Sequence, residues 1–343
     1  PVGGGRPPSL RRRAMAWSPL RAAPLLACVA SALRRADHAA SDTSLGANSR
    51  FAQTPTVGYD QERRVVSGLP PGAEVDFKGG RWSPQGWLIH PTQNRTTYVD
   101  IHIPKTAGCS FALDAAKLLP PGVGYWSKET CYRGSGPNLT GPARWMAMFR
   151  EPTAHVYSQF MECKYDPWFQ SIIPFFGKRF PKVTDWLKHF QGGSQFNDFD
   201  CYHPYNMQAR ALSCSDDKPK ASHHMKHDEH LEYAVALVDG LFFVGVVEHY
   251  QTSVCLFHAK SHARQTPLPP FCNCRDESAW RSFGGSHESH GIPPHSLDDL
   301  ELQDHRMIDN LTKVDQQVYS LAKQRFLKDV RTVERDKGVQ ILC

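Results

Sequence analysis

No stretch of this chain is both long and apolar. The longest such run, 22–33, covers about 12 residues, against the roughly 20 that a membrane-spanning helix needs. Net charge is also missing outside the first 40 residues. The formal charge of +6 lies entirely in that leader, which holds seven arginines and one acid. The rest of the chain balances to zero, so it is not a bulk polyanion binder, and nucleic acid is not an expected partner. No internal repeat and no long low-complexity run is present. The glycine pattern of a nucleotide-triphosphate loop is absent as well. G-x-x-x-x-G-K-[ST] puts two glycines ahead of its lysine, whereas Lys105 precedes Gly108, the only glycine of its loop.

What is present at the N-terminus reads as a targeting segment. Arg11-Arg12-Arg13 and Met15 precede the apolar run, and Ala30-Ser31-Ala32 resembles a small-residue cleavage site. Residues 1–33 are therefore expected to be a secretory signal peptide or a short signal anchor, with membrane anchoring confined to that segment. A plastid transit peptide shares the Arg/Ala/Ser-rich, acid-poor composition and is the competing reading. Residues 34–95, rich in Gly, Pro, Ser, Thr and charge, read as a stem or linker, partly disordered. A catalytic unit is expected over 96–336, with a short tail at 337–343.

Three N-x-[ST] sequons, at Asn94, Asn138 and Asn310, fit passage through the secretory route. So do the ten cysteines. Cys28 falls in the leader, and a disulfide at Cys109 would be awkward inside its loop. The other eight (131, 163, 201, 214, 255, 272, 274 and 343) form a set that can pair fully or stay as buried thiols; connectivity is not legible.

The informative stretch runs from Tyr98 to Phe111. A β-prone run (Tyr98-Val99-Asp100-Ile101-His102-Ile103) ends at Pro104, Lys105-Thr106-Ala107-Gly108-Cys109-Ser110 follow, and an apolar-periodic helix begins. A strand, a tight turn and a helix N-terminus aim backbone N–H groups and the positive helix dipole at an anion. Lys105 adds a point charge, and Thr106 and Ser110 add hydroxyls. Downstream, Arg150 closes a second apolar run and Ser158 follows eight residues later.

The wider pattern predicts strands over 97–103, 123–127, 145–149 and 241–246. Helices are expected over 110–119, 151–164, 183–190, 205–212, 229–238, 250–262 and 311–334. Alternating strands and helices imply an α/β fold of the P-loop type, with a central parallel sheet flanked by helices in three layers. Ligands of such sheets bind at the carboxyl ends of the strands, where Lys105 and Arg150 fall.

The Lys105 loop resembles the 5′-phosphosulfate loop of sulfotransferases that use 3′-phosphoadenosine 5′-phosphosulfate (PAPS). The segment from Met148 to Phe160 is similar to that family's 3′-phosphate segment, in which an arginine closes a strand and a serine follows eight residues on. Further pieces resemble the membrane-type carbohydrate branch, the heparan sulfate 2-O- and 6-O-sulfotransferases being nearest. They are Leu241-Phe242-Phe243-Val244-Gly245-Val246-Val247-Glu248, the N-x-Q-x-R helix at Asn206 to Arg210, and the D-x-x-x-Y helix at Asp315 to Tyr319.

The resemblance implies transfer of a sulfuryl group from PAPS to a carbohydrate hydroxyl in the Golgi lumen or secretory pathway, with 3′-phosphoadenosine 5′-phosphate (PAP) as product and no metal required. Residues Lys105, Thr106, Ala107, Gly108, Cys109 and Ser110 would hold the 5′-phosphate side, Lys105 reaching the bridging oxygen. Arg150 and Ser158 would hold the 3′-phosphate.

The general base is less plainly marked. Between Lys105 and Arg150 there is no histidine, where the 2-O and 6-O enzymes carry one. The only carboxylates there are Asp114 and Glu129. Glu129, 24 residues past Lys105, sits much as a glutamate does in the N-sulfotransferase branch and is the first candidate; His102 and His155 follow. The rival readings are a sulfotransferase for a tyrosine, lipid or small-molecule acceptor, a PAPS-binding module without catalysis, and a P-loop kinase.

Three other clusters have bland readings. His223-His224-x-x-His227-x-x-His230 has zinc-like spacing but suits a solvated loop better. Cys272-Asn273-Cys274 suits a disulfide better than half a metal site. The aromatics Tyr165, Trp168, Phe169, Phe175, Phe176 and Phe180 suit a sugar-stacking cleft or a plain core equally.

Overall fold

The structure, a computed structural model, describes residues 95–129, 141–166, 180–193, 199, 201–213, 231–286 and 292–343, and the backbone of three short strands nearer the N-terminus. The leader, the His223 cluster, residues 167–179 of the aromatic run and the sequons at Asn94 and Asn138 lie outside the described residues.

Strands β1 (Val57–Tyr59) and β2 (Arg64–Val66) form an antiparallel pair. The main sheet has five strands. β3 (Trp87–Ile89) is an antiparallel edge strand on β5 (Gly124–Lys128). Next come β4 (Thr97–Ile101), β6 (Ala143–Phe149) and β7 (Phe243–Val246), so the order is β3-β5-β4-β6-β7 and the last four are mutually parallel. The protein has an α/β fold, a central parallel sheet flanked by helices. The apolar run of β4, Tyr98, Val99 and Ile101, is wholly buried, as expected of a parallel strand covered on both faces.

The helices are α1 (Gly108–Leu118), α2 (Pro152–Tyr165), α3 (Val183–Gln191), α4 (Met207–Ser213), α5 (Leu231–Gly240), α6 (Tyr250–Ser261), α7 (Glu277–Arg281), α8 (Leu302–Leu311) and α9 (Lys313–Lys337). One core joins the sheet to α1, α4, α5, α6 and α9 through residues such as Phe111, Phe243, Phe257 and Phe326. Phe111 stacks on Phe243, and Phe257 meets both edge-on. A second core lies among α2, α3 and α8, around Phe160, Trp186 and Ile308. Tyr165 and Phe180, read as equally suited to a sugar cleft, pack against this second core.

Boundaries differ from the sequence pattern where chain geometry intervenes. The first strand stops at Ile101 because His102 and Ile103 already turn toward the loop, and α1 starts at Gly108, two residues early. The helix expected over 311–334 is α9, which runs Lys313–Lys337; α8, which was not expected, precedes it and is parted from it at Thr312. The Thr312 hydroxyl donates to the Ile308 carbonyl, and α9 starts afresh after it. α9 ends at Gly338, whose φ of 66° is the left-handed stop that favours glycine.

Disulfides join Cys163 to Cys201, Cys255 to Cys272 and Cys274 to Cys343. Cys272 and Cys274 therefore bond elsewhere rather than to each other. Cys109, expected to stand outside the paired set, is disulfide-bonded as well. It sits half-buried in the first turn of α1, where a bond from its side chain leaves the backbone N–H groups of the turn in place. Among the described residues no helix is long and apolar enough to cross a membrane, and no group of three or more His, Cys, Asp or Glu is placed to hold a metal.

Candidate functional site

The strand register builds the site. β4 lies between β5 and β6, so the chain leaves β4 to one side and returns on the other. That reversal opens a crevice at the carboxyl ends of β4 and β6. Asp100 pairs with Met146, so Arg150, four residues on, comes level with Pro104. Ile101 pairs with Lys128, so Glu129 comes level with His102. Four of the sequence candidates, His102, Lys105, Glu129 and Arg150, thus arrive at one end of the sheet from three strands.

The Lys105 loop is held in an unusual backbone shape. Lys105 and Ala107 both have positive φ, 64° and 61°. A non-glycine residue pays about 1–2 kcal/mol for that conformation, and two within three residues indicate a loop held for a purpose. Alternating left-handed residues are the backbone pattern of an anion-binding concavity, and within it the Thr106 N–H donates to the Ile103 carbonyl at 3.4 Å. Ala107 is the cap of α1 and has no side-chain capping bond. The Thr106 hydroxyl does not face a ligand: it donates to the Ile103 carbonyl at 2.8 Å and closes the turn. Gly108 is required by close approach, since a Cβ there would lie 2.2 Å from the His102 ring. Ser110 is buried in the first turn of α1, and Ser158 in the second turn of α2.

The Arg150 guanidinium donates to the Lys105 carbonyl at 3.1 Å, which fastens the two anion motifs together. Burial lowers its pKa from the ordinary value, while Glu248 and Glu151 oppose the change; an arginine stays charged regardless. From below, His155 is fully buried and its Nε2 lies 2.7 Å from the Pro104 carbonyl. Only a protonated Nε2 satisfies a carbonyl, so Nδ1 is left to accept from Gln159 at 3.3 Å. Burial, first of all, lowers His155 to about 3, so this imidazole is neutral. It supports the loop and does not face the crevice as a base.

Two acids complete the site. The Lys105 ammonium lies 2.5 Å from Glu162 on α2, and both side chains are largely buried. Glu129 has a side chain only 4% exposed. Burial raises its pKa to about 8, the like charge of Glu162 adds to the rise, and Lys105 opposes it. Its Oε1 lies 3.5 Å from His102 Nε2, and its Oε2 is buried without a hydrogen-bond partner. Behind His102, Nδ1 lies 3.3 Å from the Ser127 hydroxyl, which donates to Asp100 at 2.7 Å. Ser127 spends its proton on Asp100, so His102 carries its own on Nδ1 and turns an acceptor nitrogen toward Glu129. Burial also raises Asp100, to about 7, against hydrogen bonds from Ser127 and Tyr125.

Asp114, the other carboxylate between the motifs, is committed elsewhere. It accepts from the Ser286 amide and hydroxyl, Lys117 and the Tyr250 hydroxyl, and so anchors the 284–286 segment. Glu162 was not legible as a site residue: it lies 57 residues from Lys105, and no local pattern marks it. Gln208, which brackets the Arg150 backbone, was visible only as part of the N-x-Q-x-R resemblance.

No family model, curated protein or solved structure matches the chain.

Proposed function

We propose that this protein transfers a sulfuryl group from PAPS to a hydroxyl of a carbohydrate acceptor, as an enzyme of the secretory pathway. The observation that carries the reading is the joining of the Lys105 loop to Arg150 across the β4–β6 crevice, with a buried, alkaline-shifted carboxyl beside them. The donor set fits a nucleotide with separate 5′ and 3′ anions. A lysine loop ahead of a helix start suits one, and an arginine at the end of the neighbouring strand suits the other. The disulfides fit an oxidising compartment.

When bound, PAPS supplies an activated sulfuryl group. The chain's own residues then position and polarise. Lys105 and the N–H groups of the α1 start offer fixed positive charge where leaving-group charge grows, and a fixed arrangement needs no reorganisation during reaction. Glu162 keeps the ammonium at the loop. Arg150 secures the adenosine end. Glu129 takes the acceptor proton: a base with its pKa near 8 is matched to work close to neutral pH, and Oε2, buried without a hydrogen-bond partner, is the oxygen with its lone pairs still unused. His102 Nε2 lies 3.5 Å from the opposite oxygen of that carboxyl.

The test is calorimetric binding of PAP to the purified chain, wild type against Arg150→Ala, with 5′-AMP as control. The proposal expects tight PAP binding that the mutation removes and that 5′-AMP does not reproduce. Folded protein that ignores PAP would overturn it. A glycan screen with labelled PAPS then identifies the acceptor and separates a carbohydrate from a tyrosine or lipid hydroxyl.

A further inference from the structure

The C-terminal helix reaches the anion site through two hydrogen-bonded arms. In the first, Gln208 brackets Arg150. Its Oε1 accepts from the Arg150 amide at 3.1 Å, and its Nε2 donates to the Arg150 carbonyl at 2.8 Å. An N–H on one side and a carbonyl on the other allow the amide only one orientation. Gln208 is fully buried. It is held in turn by Asp315 near the start of α9, which accepts from the Gln208 and Ala209 amides at 3.2 and 2.7 Å.

The capping is reciprocal. Asn206, at the head of α4, accepts from the Val314 and Asp315 amides at 3.0 and 3.2 Å and donates its own amide to the Leu311 carbonyl. Asn206 and Asp315, 109 residues apart, thus each supply the acceptor that the other's helix start lacks.

The second arm starts one turn along α9. Tyr319 donates its hydroxyl to Glu248 at 2.9 Å, and the other Glu248 oxygen accepts from the Glu151 amide at 2.8 Å. Asp315 and Tyr319, four residues apart, share a helix face. They therefore grip the 150–151 turn at consecutive residues, one through Gln208 and the other through Glu248. These contacts use backbone atoms of Arg150 and Glu151, leaving the Arg150 guanidinium to the crevice and the Lys105 carbonyl.

We propose that Gln208 is a positioning residue for Arg150, fixed by Asp315, and that it sets recognition of the nucleotide 3′-phosphate without touching it. The proposal rests on the PAPS reading above. A guanidinium is a planar fork whose bidentate contact depends on the placement of its stem. A displacement of an ångström at such a contact is costly.

The experiment compares wild type, Gln208→Leu, Gln208→Glu and Arg150→Ala by calorimetry with PAP and with 5′-AMP, each protein first checked for a cooperative melt. Gln208→Leu is expected to weaken PAP about tenfold or more while leaving weak 5′-AMP binding as it was. In the Arg150→Ala background it is expected to have no further effect on PAP. Gln208→Glu keeps the shape but opposes a carboxylate to the Arg150 carbonyl, so it reads the same loss if the leucine variant does not fold.

Equal weakening of PAP and 5′-AMP would mean a general structural role and overturn the proposal. Unchanged PAP binding in either folded Gln208 variant would also overturn it, leaving the donor reading intact. Wild-type protein that fails to bind PAP would remove the donor reading and this proposal together.

Discussion

Glu129→Gln separates the cost of a buried carboxyl from the use made of it. Burial shifts Glu129 from an ordinary 4.5 to about 8. Between those values the folded state holds a proton that the unfolded chain has released. Wild-type stability therefore falls as pH rises through that window, and the full cost is present above pH 8. At about 1.4 kcal/mol per tenfold change, the ceiling is about 5 kcal/mol.

Glutamine keeps the shape and never ionises. The stability difference, variant minus wild type, is expected near zero at pH 4.5 and to reach several kcal/mol at pH 9. Urea unfolding followed by tryptophan fluorescence, with disulfides intact, measures it. Asp100 has its own slope of the same sign, and taking the difference removes it. A difference that is the same at both pH values would refute the burial argument. On activity, the same variant is expected to lose about 10²–10⁴ of turnover, and wild-type kcat/KM should rise with pH to a midpoint near 8. Full turnover in Glu129→Gln with Lys105 intact would remove Glu129 as the base.

Two further predictions concern the floor of the loop. Gly108→Ala drives a Cβ to 2.2 Å from the His102 ring; a loss of about 1–3 kcal/mol in stability and a weaker PAP site are expected, whereas wild-type melting and affinity would show that loop and ring are not in contact. His155 has its pKa depressed from 6.5 to about 3, so wild-type stability is lost as pH falls through that range. His155→Gln, which can still donate to Pro104 but does not titrate, should match wild type at pH 7 and exceed it at pH 4 in the same unfolding assay; a parallel loss with acid would contradict the buried neutral imidazole.

The parallel sheet was legible because its strands are short β-prone apolar runs, all but the second followed by a helical period. The meeting of Lys105 and Arg150 was legible because both fall where such strands end. Edges were read less well. The two ends of β6 differ: Phe149 closes a buried run, but Ala143 and Arg144 are exposed and carry no apolar signal. Helix α8 was missed because its buried residues, Met307, Ile308 and Leu311, are few and set among charges.

At the site, what local pattern conveys is the loop. What it cannot convey is pairing across about 57 residues or more, which is how Glu162 meets Lys105, Gln208 meets Arg150 and Asp315 meets Gln208. Thr106 shows the converse limit: its place in the loop suggests a ligand hydroxyl, while the nearest acceptor in space is a backbone carbonyl.

The reciprocal caps between Asn206 and Asp315 bear on the order in which the molecule is finished during synthesis. Every strand of the sheet is translated before α9 emerges, so a nascent chain can assemble β4 to β7 with Arg150 already at the crevice. Until residues 313–319 clear the ribosome, Gln208 lacks the carboxylate that holds its helix, and Glu248 lacks the tyrosine that steadies it. Domains consolidate as units during translation. In this one α9 completes the setting of the Arg150 turn, so under the proposed function nucleotide affinity waits for that helix.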